Sequence, residues 1–265
     1  MAHPPIGIAN SVSYNFQYDP LDTLAFAKQS EFDPVQIYVN AAMLANPDVL
    51  QQLQSQQTGF QNVYFHAEGY LNADFSGGDY RSQLTRFVKG TPKPNYILHF
   101  DERVKIDDLV KIADQLKKDA VELYLENYFM AEGKAEAERN IKKYLALFTL
   151  TQLNGIDIMP VLDIPRLFHH KLGFETAEAV EWCYQMINFF GNRNIPLLLH
   201  LIDATAPEQG RLNFTAIGNG YIPYAEILGF IRKTRPNISG IILEFEDKIN
   251  PLASREFIIN AFTDK

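Results

Sequence analysis

The run IDIMPVLD, from Ile156 to Asp163, is apolar almost throughout and ends on a carboxylate. It follows Gly155, which stands where a helix C-cap is expected, and it precedes a short turn. Seven other runs share this form: IGIANSV (Ile6 to Val12), VQIYV (Val35 to Val39), NVYFH (Asn62 to His66), YILHF (Tyr96 to Phe100), VELYLE (Val121 to Glu126), IPLLLHL (Ile195 to Leu201) and ISGIILEF (Ile238 to Phe245). Short, near-continuously apolar runs rich in β-branched and aromatic residues mark parallel strands covered on both faces. The stretches between them have helical period. Lys105 to Lys118 sets Ile106, Leu109, Val110, Ile112, Ala113 and Leu116 on one stripe, and Ala135 to Leu153, Thr176 to Phe190, Tyr224 to Lys233 and Ser254 to Phe262 repeat the pattern. Asp19-Pro20 and Asn46-Pro47-Asp48 mark helix starts, with proline in the first turn.

Eight strand–helix alternations in 265 residues predict an α/β fold, a single (β/α)8 TIM barrel spanning 1–265 as one domain. A doubly wound open sheet is the alternative, but it would bring a phosphate fingerprint after the first strand. Ile6 to Asn15 has no G-x-G-x-x-G, and no G-x-x-x-x-G-K-[ST] occurs anywhere.

Composition narrows the function classes. At 46% hydrophobic and 21% charged, the chain is neither disordered nor fibrous. One cysteine, Cys183, excludes an internal disulfide and reads as core within its helical stretch. No window approaches the ~20 apolar residues of a bilayer span. Met1 to Pro5 lacks the basic region and apolar stretch of a signal peptide, so the expectation is a cytoplasmic chain without a membrane partner. A net charge of −8 argues against a broad grip on nucleic acid, and the basic turn Lys89 to Lys93 is too small to reverse that.

A barrel presents its site at the C-terminal ends of its strands. Here six consecutive runs deliver an ionisable side chain to that rim: His66, His99, Glu126, Asp163, His200 and Glu244. A single one reads as a hydrogen-bonded residue closing a strand. Several buried together repel or desolvate one another unless a cation lies between them. Glu126, Asp163, His200 and Glu244 offer three carboxylates and an imidazole, a set suited to one divalent metal, Mn, Co, Mg or Zn, rather than to a thiolate-seeking ion.

With this pattern the chain resembles the xylose-isomerase-like barrel superfamily, which includes sugar isomerases and epimerases and the endonuclease IV-type, AP endonuclease family 2, enzymes. Glu126-Asn127 resembles the family's Glu-Asn pair, and Leu162-Asp163 its Leu-Asp-Thr element. His200-Leu201-Ile202-Asp203 resembles its His-x-x-Asp, and Gly218-Asn219-Gly220-Tyr221-Ile222 its Gly-x-Gly-x-Ile element. The resemblance implies that Glu126, Asp163, His200 and Glu244 hold the metal. It also implies that Glu126 and Glu244 are the catalytic acid/base pair. Two departures stand out. Arg166 occupies the place of a family histidine, and Leu212-Asn213-Phe214 replaces the Asp-x-His pair of the trinuclear zinc branch. Of that branch's further ligands, His66 and His99 remain.

The expected activity is a metal-dependent isomerase or epimerase of a sugar, sugar phosphate or sugar acid, acting by proton transfer through an enediolate. The alternatives are a divergent endonuclease IV-type phosphodiesterase and a non-catalytic barrel with a remnant site. His66, His99, Arg166 and Arg211 are the expected substrate-binding residues, for a carbohydrate-like small molecule. Arg166 reads in two ways: as the anchor of an anionic substrate, or as a replacement for the metal that pairs with Asp163 and Glu126. Tyr14, Phe16, Tyr18, Phe65, Tyr70, Tyr128, Phe129 and Phe168 are candidates for an aromatic wall at the rim. His169-His170 reads as solvent-facing. The sequence leaves the oligomeric state open.

Overall fold

The computed structural model describes residues 3–92, 95–205 and 213–263. Eight parallel strands close into a barrel in sequence order. They are β1 (Ile6–Ala9), β2 (Val35–Val39), β3 (Val63–Tyr70), β4 (Asn95–His99), β5 (Glu122–Glu126), β6 (Ile158–Asp163), β7 (Leu197–Leu201) and β8 (Ile238–Leu243). Each is followed by a main helix: α1 (Pro20–Gln29), α2 (Pro47–Gln56), α3 (Asp79–Lys89), α4 (Ile106–Lys117), α5 (Lys134–Leu153), α6 (Thr176–Gly191), α7 (Tyr224–Thr234) and α8 (Asn250–Thr263). The predicted caps form. Asp19 accepts from the Leu21 amide and Asn46 from the Val49 amide, and Gly155 takes φ +65° after α5. Among the described residues no helix is long and apolar enough to cross a membrane.

Alternation along the strands splits the apolar residues into two cores. One face of every strand packs against the helices. Tyr144 of α5 lies there among Phe100, Phe129, Phe148 and Phe190, and its hydroxyl donates to the carbonyls of Leu125 (2.8 Å) and Val161 (3.1 Å). The other face fills the barrel with Ala9, Tyr64, Ile97, Tyr124, Val161, Leu198 and Ile242. This is a packed plug, as barrel interiors of this width require. The close approach of β1 to the chain entering β2 needs a glycine, since a Cβ on Gly7 would lie 1.7 Å from the Pro34 carbonyl oxygen.

Four strand ends differ from the sequence reading, that of β4 by one residue only, at His99 rather than Phe100. β1 stops at Ala9, and Asn10–Phe16 winds into a 3-10 helix. The Asn10 side chain causes this, because its Oδ1 accepts from the Tyr38 amide and its Nδ2 donates to the Tyr18 carbonyl. β3 runs four residues past His66 to Tyr70, where the Tyr80 hydroxyl accepts from the Glu68 amide at 2.7 Å. β8 ends at Leu243, yet the Glu244 amide still donates to the Leu201 carbonyl at 3.1 Å. Phe65, Phe129 and Phe168, expected among the rim aromatics, instead lie in the helix-facing core.

Candidate active site

Two residues beyond six of the seven members of the apolar plug, the same strand face reaches the C-terminal rim. Tyr64 is followed by His66, Ile97 by His99, Tyr124 by Glu126, Val161 by Asp163, Leu198 by His200 and Ile242 by Glu244. Parallel register levels them, pairing His99 with Glu126 and Asp163 with His200. The strand period thus brings all six sequence-predicted rim residues into one layer above the plug.

Glu126 is the centre of the cluster. It is 2% exposed, and three imidazoles surround it. His66 Nε2 donates to Oε2 at 2.9 Å, His200 Nδ1 lies 3.3 Å from Oε2, and His99 Nε2 lies 3.9 Å from Oε1. Burial alone would raise the Glu126 pKa, but the electrostatic pull of His200 and His99 and the His66 hydrogen bond hold it well below the usual range. Burial drives His99 the other way, down to about 3.

His200 is fully buried, and its Nδ1 lies 3.2 Å from Glu244 Oε1 as well as 3.3 Å from Glu126. Neither approach has hydrogen-bond geometry, and both ring nitrogens lack a hydrogen bond among the described residues. Burial opposes protonation of His200, but Glu244 and Glu126 outweigh it and lift the pKa to about 9. Glu244 is held from across the barrel seam by Gln36 of β2, whose Nε2 donates to Oε1 at 2.8 Å. Gln36 escaped the sequence reading, although a polar residue inside the run VQIYV was a usable signal.

Asp163 turns to a different partner. Its Oδ2 accepts from Arg166 Nε at 2.9 Å, its Oδ1 lies 3.3 Å from the Arg166 amide, and Asn127 clamps its backbone on both sides (2.7 and 3.0 Å). Burial, with repulsion from Glu126 and Glu244, raises its pKa to about 8 against the pull of Arg166. The Arg166 guanidinium lies 4.2 Å over the Tyr128 ring and makes its one ion pair, among the described residues, with Asp163. It does not bridge Asp163 to Glu126, as a replacement for the metal would.

The cluster has the features of a cation site. Nitrogens of His66 and His99 and a Glu126 oxygen lie within 4.8 Å of one another, close to the ~3–4 Å spacing of ligands around a small cation. His66 Nδ1 faces the Ala67 carbonyl at 3.1 Å, and a proton held on Nδ1 would free Nε2 for a metal in place of its bond to Glu126. Both ring nitrogens of His200 are buried without a hydrogen bond among the described residues, Nδ1 facing the Glu126 and Glu244 carboxylates.

A cavity of about 900 Å³ opens above this layer, with His66, His99, Glu126, Arg166 and Glu244 on one side and Tyr18, Tyr38, Met43 and Val49 on the other. Two consecutive non-glycine residues at its lip, Gln17 (φ 56°) and Tyr18 (φ 59°), are left-handed. Such strain persists only where surroundings enforce it, here the Asn10 bond to the Tyr18 carbonyl. Asp203 has a structural task. Its carboxylate accepts from the amides of Ala204, Gly218, Gly220 and Ile222, tying the G-x-G-x-I turn beneath the rim. Arg211 and Leu212 lie outside the described residues. Phe214 pairs with Ala204 in a short antiparallel ladder. His169 and His170 are exposed, and Cys183 is buried.

No protein-family model and no curated protein sequence matches the chain. Solved structures do. The IOLI protein with a bound zinc atom superposes with TM-score 0.66 at 12% identity, covering 100% of both chains. A D-allulose 3-epimerase from Methylomonas sp. in complex with D-allulose gives 0.54 at 10% identity, covering 97% of each chain. A xylose isomerase-like TIM barrel protein from Mycobacterium smegmatis in complex with magnesium gives 0.56 at 11% identity, covering 98% of this chain and 96% of that one. At such identities the likeness is one of fold. The closed barrel, its strand order and these superpositions together show that the chain has the (β/α)8 barrel fold of these structures.

Proposed function

We propose that the protein is a metal-dependent isomerase or epimerase of a carbohydrate-like substrate, acting by proton transfer through an enediolate. The observation that carries this reading is the placement of two carboxylates, Glu126 and Glu244, about one buried imidazole with unbonded nitrogens. Glu126, Asp163, His200 and Glu244 would hold the divalent cation, with His66 and His99 as further donors. When bound, the cation supplies Lewis-acid polarisation of a substrate carbonyl.

The chain's own groups supply the proton movements. One glutamate carboxylate takes the proton from the carbon beside the carbonyl. The C–H electron pair becomes the carbon–carbon double bond of the enediolate. The other glutamate, or a water, returns a proton to the opposite face, giving an epimer, or to the neighbouring carbon, giving an isomer. His66 and Gln36 orient the two carboxylates through bonds of 2.9 and 2.8 Å. The epimerase and the zinc- and magnesium-bearing neighbours of the same fold support the reading.

The test is solvent deuterium exchange at the carbon beside the carbonyl, across a panel of keto sugars with Mn²⁺ or Co²⁺. Glu126→Gln and Glu244→Gln should each lower exchange by ~10²–10⁴-fold. Absence of exchange on every sugar with metal-loaded protein would remove the isomerase reading. The His66–His99–Glu126 triplet favours a second reading, a metal phosphodiesterase, since one-metal isomerase chemistry does not need it. Zinc-dependent cleavage of an abasic duplex, lost in Glu244→Gln, would establish that reading instead.

A further inference from the structure

We infer that the substrate carries an oxyanion, a carboxylate or a phosphate, held by the unused edge of the Arg166 guanidinium. The inference rests on the isomerase reading for the reacting carbonyl, but not for the anion site.

A guanidinium has five N–H donors in a planar fork. Arg166 uses one from its side chain, Nε to Asp163 Oδ2 at 2.9 Å, and among the described residues its two terminal nitrogens make no hydrogen bond. Asp163 on one edge and the Tyr128 ring at 4.2 Å beneath fix the plane. The fork is therefore oriented before any ligand arrives, and little rotamer entropy is lost on binding. It borders the same cavity as Glu126 and Glu244, and it is the one Arg or Lys among the described residues that does so.

Position gives the fork its purpose. Among the described residues Arg166 is the fixed positive charge on a cavity wall that also carries Glu126 and Glu244. Its free edge offers paired N–H groups at the spacing of a carboxylate or phosphate.

The experiment is titration calorimetry on metal-loaded protein with D-fructose, D-fructose 6-phosphate and 5-keto-D-gluconate. At least one anion should bind about tenfold more tightly than D-fructose, and the tighter one identifies the oxyanion. Arg166→Gln should reduce that anion to the affinity of D-fructose. Arg166→Lys, which keeps the charge and can still reach Asp163 but lacks the fork, should fall between. Three results would overturn the inference: D-fructose binding as tightly as both anions, Arg166→Gln weakening all three alike, or no probe binding. If Arg166→Gln does not fold, an unchanged anion-to-fructose ratio in Arg166→Lys overturns it. Deuterium exchange on the same samples separates the two proposals. Anion preference through Arg166 without exchange on any keto sugar keeps the anion site and removes the isomerase. Equal exchange on D-fructose and the anions does the reverse.

Discussion

Glu126 and Tyr144 show how differently two buried polar side chains act in one barrel. Glu126 gathers three imidazoles and, among the described residues, has no partner of fixed positive charge within ion-pair distance. Its replacement by Gln should weaken metal retention, read by mass spectrometry of the purified protein, together with the loss of proton exchange. Tyr144 is wholly satisfied by two strand carbonyls. Tyr144→Phe should therefore lower stability by ~1–3 kcal/mol in urea denaturation, the range for leaving buried partners unpaired, without changing the bound metal.

At the scale of elements, two loop anchors hold the rim. Asp203 ties the turn at Gly218 to Ile222, and a Cβ on Gly220 would sit 2.0 Å from its Oδ1. Gly220→Ala should cost ~2–3 kcal/mol, measured by chemical denaturation. Asp101 pins the loop after β4: Arg103 Nε and Nη2 donate to its two oxygens at 2.9 and 2.8 Å, and Asn72 donates at 2.9 Å. Burial alone would raise the Asp101 pKa, but these bonds outweigh it and bring it from 3.8 down to about 2. A depressed carboxyl stabilises fully above its unfolded pKa. The stability difference between wild type and Asp101→Asn should thus be full at pH 7 and shrink as pH falls from about 4 through 2.

The strand elements also mark what a reader of the sequence can and cannot see. The six rim residues were legible because each terminates an apolar run, and the period of two does the rest. The partner each one chooses was not. Asp163 turns to Arg166 through a one-turn helix, Ile164–Leu167, whose side-chain directions are set by Tyr128 on a neighbouring strand's loop. Gln36 meets Glu244 only because the first strands close against the last. The early end of β1 was hidden in one side chain, Asn10, which substitutes for a backbone partner.

For the whole molecule, a cation held by side chains from several strands would couple its binding to closure of the barrel. Gly7 lets β1 approach Pro34 at the seam, so Gly7→Ala should produce an insoluble or strongly destabilised chain, seen as a loss of the cooperative thermal transition. A cation that binds only the closed barrel should raise Tm. At a hundred times its Kd the gain is ~2.7 kcal/mol, and a chain of this size shifts by ~2–4 °C per kcal/mol. Thermal melts with Mn²⁺, Co²⁺, Mg²⁺ and Zn²⁺ should show that rise for at least one ion, and His200→Ala should abolish it. No rise with any of the four would count against a metal site.

The plug of Tyr64, Ile97, Tyr124, Val161, Leu198 and Ile242 closes the barrel below the rim. Among the described residues the plug leaves the cavity mouth at the rim as the doorway for a substrate. A spent molecule must depart by the route its successor uses, so traffic is one at a time. Accumulated product should compete head-on with fresh substrate, and departure rather than bond-making can set the pace of turnover.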